Sequence, residues 1–224
     1  MEKVKVTLPD GSAKEYEAGA TVEDVAYSIG TGLGRDAVAG VVDGEEVDVY
    51  YPIEEDVELS IITIDSDEAL EIIRHTTSHI MAQAVKRLYD DVQVAIGPAI
   101  DDGFYYDFNL SETLNEESLE EIEEEMQKII EEDIKIRRKE LPREEAVELM
   151  KERNEKYKLE LIDELDDELI SFYFQGDYVD LCRGPHLPST GYVKAFKLLN
   201  VAGAYWRGDE DNEMLQRIYG TAFA

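Results

Sequence analysis

A chain of 224 residues, 43% of them hydrophobic, is long enough for one large domain or two ordinary ones around a real core. Its 53 acidic residues face only 22 basic ones, and the net charge of −31, taken alone, argues against a nucleic-acid partner, because phosphate contacts need Lys and Arg. No run of 18 apolar residues exists and "MEKVKVTLPDGS" lacks the apolar stretch of a signal peptide, so a soluble, unsecreted protein without a membrane partner is expected.

The charge fits either a heavily hydrated acidic surface of the kind used at high salt, or a piece of a larger enzyme whose basic surface lies elsewhere. One cysteine cannot form an internal disulfide, which suits the cytoplasm and leaves Cys182 as a free thiol or a ligand.

Residues 1–64 form a unit by pattern. "KVKVTL" alternates, "DG" at 10–11 signals a hairpin, and "AKEYEA" can pair back. Thr21 can cap a helix with Asp24 three residues on; Val22, Val25, Ala26 and Ile29 make its apolar face, and Gly30 stops it. "AVAGVV", "EEVDVY" and "DVELSIIT" then read as strands, and ββα followed by more β is the order of a ubiquitin-like β-grasp module.

Residues 65–224 read as a second, α+β unit with a mostly antiparallel sheet. Over 67–89, Leu70, Ile73, Thr77, Ile80, Ala84 and Leu88 make a helical stripe. At about 100° per residue, His75 and His79 fall nearly opposite it, so the main core face does not explain them. "VAIGPAIDDGFYYDF" is expected as strand, Gly-rich turn and strand. The acidic stretch carrying Leu119, Ile122, Met126, Ile129 and Ile130 is an amphipathic helix with a solvated acidic face, and Pro142 opens another helix. "KLELI" is expected as a strand, "SFYF" and "YVDLC" as a hairpin around "QGD", and "AFKLLNVAGAYW" and "MLQRIYG" as further strands.

The chain has three histidines and one cysteine, gathered as H-x3-H in "RHTTSH" and C-x3-H in "DLCRGPH". His75, His79, Cys182 and His186 are chemically adequate for tetrahedral Zn²⁺. The same groups without metal suit acyl chemistry, with His as base and the thiol as nucleophile or pocket wall. A third reading makes the His pair a solvated helix face and Cys182 a buried apolar thiol. Asp180 could orient a histidine or bind an ammonium group, Tyr105 in "GFYYDF" could stack a base, and Lys158 could meet a phosphate or carboxylate.

The segments "RHTTSHIMAQAVKRLY", "IGPAIDDGFYYDF", "YVDLCRGPHLPSTG" and "FKLLNVAGAYWRGDEDNEMLQRIYGTAF", in this order behind a β-grasp module, resemble the N-terminal half of bacterial-type threonyl-tRNA synthetases, over essentially the whole chain. The resemblance implies a TGS domain followed by an editing domain, carrying a long H-x3-H helix, that hydrolyses serine wrongly attached to threonine tRNA. It implies catalytic roles for His75, His79, Cys182, His186 and Lys158, and substrate binding by Asp180, Tyr105 and Gly97. His75 or His186 would be base or proton shuttle, Lys158 would stabilise the oxyanion, Asp180 would grip the serine ammonium, and Tyr105 would line the adenosine pocket. The corresponding pairs bind zinc in alanyl-tRNA synthetase editing domains, but the threonyl site is generally metal-free, so no metal or other cofactor is expected. The partners implied are the tRNA acceptor end carrying serine and the remainder of the synthetase, with this fragment monomeric and the whole enzyme a homodimer. The chain stops at "YGTAFA", ahead of any class II catalytic core, so no aminoacylation is expected of it. A zinc-dependent, alanyl-like deacylase and a non-catalytic tRNA-binding adaptor are the alternatives.

Overall fold

The computed structural model describes residues 2–224. Strands β1 (Lys3–Thr7) and β2 (Ala13–Glu17) form the first hairpin, and β3 (Ala20–Thr21) leads into α1 (Val22–Ile29). The Thr21 hydroxyl accepts the Asp24 N–H while the Asp24 carboxylate accepts the Thr21 N–H, a reciprocal cap as the spacing predicts. Val22, Val25 and Ala26 are buried, whereas Ile29, assigned by sequence to the same face, is half exposed. A short helix not anticipated from sequence, α2 (Thr31–Asp36), precedes β4 (Ala37–Val42), β5 (Glu45–Asp48), β6 (Pro52–Ile53) and β7 (Val57–Thr63). The sheet order β2-β1-β7-β4-β5, with the first and last long strands parallel at its centre, is the β-grasp arrangement.

Helix α3 (Ala69–Leu88) follows, then β8 (Gln93–Val94), β9 (Ala99–Ile100) and β10 (Gly103–Asn109). Asn115 caps α4 (Glu116–Glu131), whose Leu119, Ile122, Met126, Ile129 and Ile130 are buried as their spacing requires. Next come β11 (Ile136–Pro142), a strand not anticipated from sequence, α5 (Arg143–Glu152), α6 (Lys156–Glu164), β12 (Leu169–Gln175), β13 (Tyr178–Leu181), β14 (Ala195–Tyr205) and β15 (Met214–Phe223). Two antiparallel sheets result, β14-β15-β10-β8 with β9 beside β10, and β11-β12-β13. No helix among the described residues is long and apolar enough to cross a membrane.

The expected strand "KLELI" lies within helix α6. Its Lys, Leu and Glu are strong helix formers, and an apolar run this short cannot by periodicity alone be told from a strand. The change matters because α6 carries Lys158.

Helix α3 is the hub. It packs on α4 and on the β10–β15 sheet, and Val38, Ala39 and Ile62 of the N-terminal sheet join the same core cluster as Ile72, Ile73 and Ile80. From Thr76 to Val85 every residue of the helix is buried. The units on either side of residue 64 therefore share apolar contacts, and they share polar ones too. Asp48, at the end of β5, accepts the His186 N–H at 2.9 Å through one oxygen and the Tyr173 hydroxyl at 2.7 Å through the other. Burial pushes the Asp48 pKa up, opposed by these two donors. Replacing Asp48 with Ala leaves both donors unpaired and is expected to cost about 1–3 kcal/mol in total. Urea denaturation should show this, with Asp48→Asn, which keeps one acceptor, falling between the two.

Candidate functional site

Four elements converge beside the middle of α3. The helix presents His75 and His79 one turn apart; β13 carries Asp180 next to its last residue, Leu181, and the loop after it carries Cys182 and His186 back over the helix. α6 supplies Lys158, and β10 supplies Tyr106.

Cys182 Sγ lies 3.3 Å from His75 Nε2, 3.3 Å from His186 Nε2, and accepts the Gly184 N–H at 3.3 Å. The His186 ring centroid is 4.2 Å from those of His75 and His79, and the Tyr173 ring stands edge-on to it at 4.4 Å. The two sequence-distant pairs thus form one cluster, and the solvated-face reading of the histidines does not hold. His79 is buried and His75 partly buried because the β13 loop closes over the side of α3 away from its apolar stripe, a contact that helical periodicity cannot reveal.

A second centre adjoins the first. Asp180, only 1% exposed, accepts the Tyr106 hydroxyl at 2.6 Å and the Tyr178 hydroxyl at 2.8 Å on Oδ2, with His79 Nε2 3.3 Å from the same oxygen. Lys158 Nζ stands 2.6 Å from Oδ1 and donates to the Tyr106 hydroxyl at 3.0 Å. The ammonium is the charge partner of this buried oxygen, so Lys158 and Asp180 form a desolvated ion pair.

Desolvation sets the protonation states. It lowers the His75 pKa from 6.5 to about 4, despite Asp180 nearby, and lowers those of His79 and His186 well below the usual value. It also pushes the Cys182 thiol up to about 12, with Asp180 adding to the shift. Near neutral pH the cluster therefore holds neutral imidazoles and a protonated thiol, a poor nucleophile. By donor type His75, His79, Cys182 and His186 could hold a tetrahedral divalent ion, their ligand atoms lying within 4.8 Å of one another, and such an ion would supply Lewis acidity. Two imidazole nitrogens already have partners, His79 Nε2 beside Asp180 and His186 Nδ1 beside the Thr76 hydroxyl.

The pocket over these groups measures about 260 Å³ and is walled by Ile96, Gly97, Pro98, Tyr106 and Leu161. Tyr105 is not in it. Side chains alternate along β10, so Tyr105 points to the other face, where its ring packs against Tyr219 and lies 3.8 Å beneath the Arg217 guanidinium. The neighbouring Tyr106 takes the pocket position, and alternation with buried Phe104 and Phe108 was the sequence signal for it. Asp48, Thr76, Tyr173 and Tyr178 also touch the site, and no sequence spacing marked them. A larger groove of about 680 Å³ runs from Cys182 past Leu161, Leu181, Arg138 and Arg183.

Residues 4–63 match the TGS domain, and residues 170–219 match the threonyl and alanyl tRNA synthetase second additional domain. The chain is 61% identical over 221 residues, 98% of its length, to a threonine–tRNA ligase of Acetivibrio thermocellus. Identity is 57% over 221 residues with that of Clostridium tetani and 55% over 223 residues with that of Citrifermentans bemidjiense. The chain belongs to the threonyl-tRNA synthetase family, as an N-terminal portion. It spans 35% of the length of these relatives.

Within this synthetase portion, the second-additional-domain match holds Asp180, Cys182 and His186, whereas α3 and its histidines lie outside it. Gly97 shows how tightly the pieces fit. A Cβ there would stand 2.0 Å from the Tyr106 ring, while its carbonyl accepts the Ser78 hydroxyl at 2.8 Å. Gly97→Ala must therefore displace Tyr106 and with it the Asp180 carboxylate. Overpacking of this kind costs about 1–3 kcal/mol, so the unfolding midpoint of Gly97→Ala is expected to fall in urea or thermal denaturation.

Proposed function

We propose that this chain is the proofreading portion of a threonyl-tRNA synthetase, hydrolysing the ester that links serine to the terminal adenosine of threonine tRNA. The observation that carries the reading is the clustering of neutral His75 and His186 on the protonated thiol of Cys182, next to a buried Lys158–Asp180 ion pair that lines the same pocket. The remainder of the synthetase and the tRNA acceptor end are the partners this reading requires.

Serine and threonine differ by one methyl, and a synthetic pocket gains only about 10–200-fold from such a group. A second, hydrolytic site must therefore accept the smaller side chain and crowd out the larger. The pocket of about 260 Å³, with largely apolar walls and His75, His79, Lys158 and Asp180 as its polar groups, is the proposed site of that selection. The Asp180 carboxylate is the proposed partner of the serine ammonium, and Lys158 that of the ester oxygen on which charge develops. The neutral His75 takes the proton of the attacking water. Cys182 positions water and substrate, since a thiol whose pKa is pushed up to about 12 does not favour a covalent acyl step.

Calorimetric titration with seryl- and threonyl-3′-aminoadenosine, on protein assayed for metal, tests the reading. The seryl analogue should bind about tenfold or more tightly than the threonyl one. Equal affinities would remove the second sieve, failure of both to bind would favour the adaptor, and stoichiometric zinc would favour the metal-dependent deacylase.

The protonation states predict an acid limb. Burial holds His75 near 4 against 6.5 in the unfolded chain, so between these values the folded state binds fewer protons. Stability contributed by the neutral ring is thus lost as pH falls through that window. Because the base must be neutral, hydrolysis should persist below pH 6 and fall with an apparent pKa near 4. A limb at the ordinary histidine value would contradict a desolvated base.

A further inference from the structure

The hydroxyl of Thr76, fully buried one residue after His75, has two neighbours on the Cys182 loop. The Leu187 N–H donates to Thr76 Oγ1 at 3.0 Å, and His186 Nδ1 lies 3.0 Å from the same oxygen. A hydroxyl has one proton to give, and the Leu187 N–H occupies a lone pair. Among the described residues His186 Nδ1 is the acceptor within reach of that proton, whereas the adjacent Thr77 hydroxyl donates to the Ile73 carbonyl at 2.7 Å. If Nδ1 carried a hydrogen, the threonine proton would be buried without a partner. Nδ1 therefore accepts, and a neutral ring then carries its hydrogen on Nε2, the nitrogen 3.3 Å from Cys182 Sγ.

We propose that Thr76 is a positioning residue that fixes the tautomer of His186, so that His186 presents Nε2–H to the reacting centre and His75 Nε2 is left as the proton acceptor. The thiol agrees with this division. Without substrate, Sγ receives the Gly184 N–H and the His186 Nε2–H and points its own hydrogen to His75 Nε2, a contact that the attacking water displaces. The proposal rests on the hydrolytic reading of the site and assigns its two histidines. Water adds its oxygen to the ester carbon and its proton passes to His75; the carbon–oxygen bond to the ribose then breaks, and His75 returns that proton to the ribose oxygen. His186 donates a hydrogen bond throughout and never loses its hydrogen.

Nitrogen-15 NMR of the histidine-labelled chain reads the tautomers without substrate, and three histidines keep the spectrum simple. The wild-type spectrum should show His186 protonated on Nε2 alone; a His186 protonated on Nδ1 overturns the proposal whether or not any variant folds. Thr76→Val should turn His186 into a mixture of tautomers and lower kcat on seryl-tRNA about a hundredfold, with KM little changed. Thr76→Ser should restore both the spectrum and the rate. A Thr76→Val spectrum identical to wild type would sink the assignment. If the wild-type chain shows the expected tautomer yet leaves seryl-tRNA intact, the hydrolytic reading fails and the role of Thr76 in setting the tautomer stands.

Discussion

Desolvation of the middle of α3 is the constraint from which the rest of the site follows. An amphipathic helix normally keeps one face wet, but here the core takes one side and the β13 loop covers the other. Water excluded from that second side cannot solvate an imidazolium or a thiolate, so the histidines stay neutral and the cysteine stays protonated. Lys158 and Asp180, the oppositely charged residue types of the site, are buried as a pair, and those two sit on different elements that meet over the helix. The division of the site into a neutral cluster of imidazoles and thiol and an ion pair beside it is thus one consequence of burial applied to two kinds of group.

Keeping the loop in place takes help from both sides. Thr76 holds it from α3 through the Leu187 N–H, and Asp48 holds it from the N-terminal sheet through the His186 N–H. Tyr173 joins the second anchor, since its hydroxyl reaches Asp48 while its ring packs on His186. A buried loop would otherwise strand its backbone donors, so these bonds stabilise the loop and aim His186 at the same time. The N-terminal unit is by this arrangement part of the support of the site. The acidic run of α4 takes no part in it: the helix buries its apolar stripe, Glu123 and Glu125 pair with Lys197 and Arg87 away from the site, and the other carboxylates face solvent.

Much of this molecule was legible before any coordinates. The Thr21–Asp24 cap, the stripe on α4, the hairpin around Gly176 and the two His/Cys pairs follow from local spacing, because each depends on residues a few positions apart. The misread elements failed for equally local reasons. "KLELI" is too short for its period to decide between helix and strand, and "GFYYDF" offers two adjacent tyrosines whose faces depend on register. One residue of register separates Tyr106, bonded to Asp180 and Lys158, from Tyr105 beneath Arg217.

What the sequence alone determined is the chemical inventory and its local geometry: which groups can move protons, which helix carries two of them, and which family the motifs resemble. Only the tertiary structure decided what state those groups are in and which of them act together. Protonation depends on the water that packing removes, and partnership depends on contacts between residues more than a hundred positions apart, such as Thr76 with His186 and Asp48 with the same loop. Neither quantity is a property of any short stretch of chain, and both appear when α3 is enclosed.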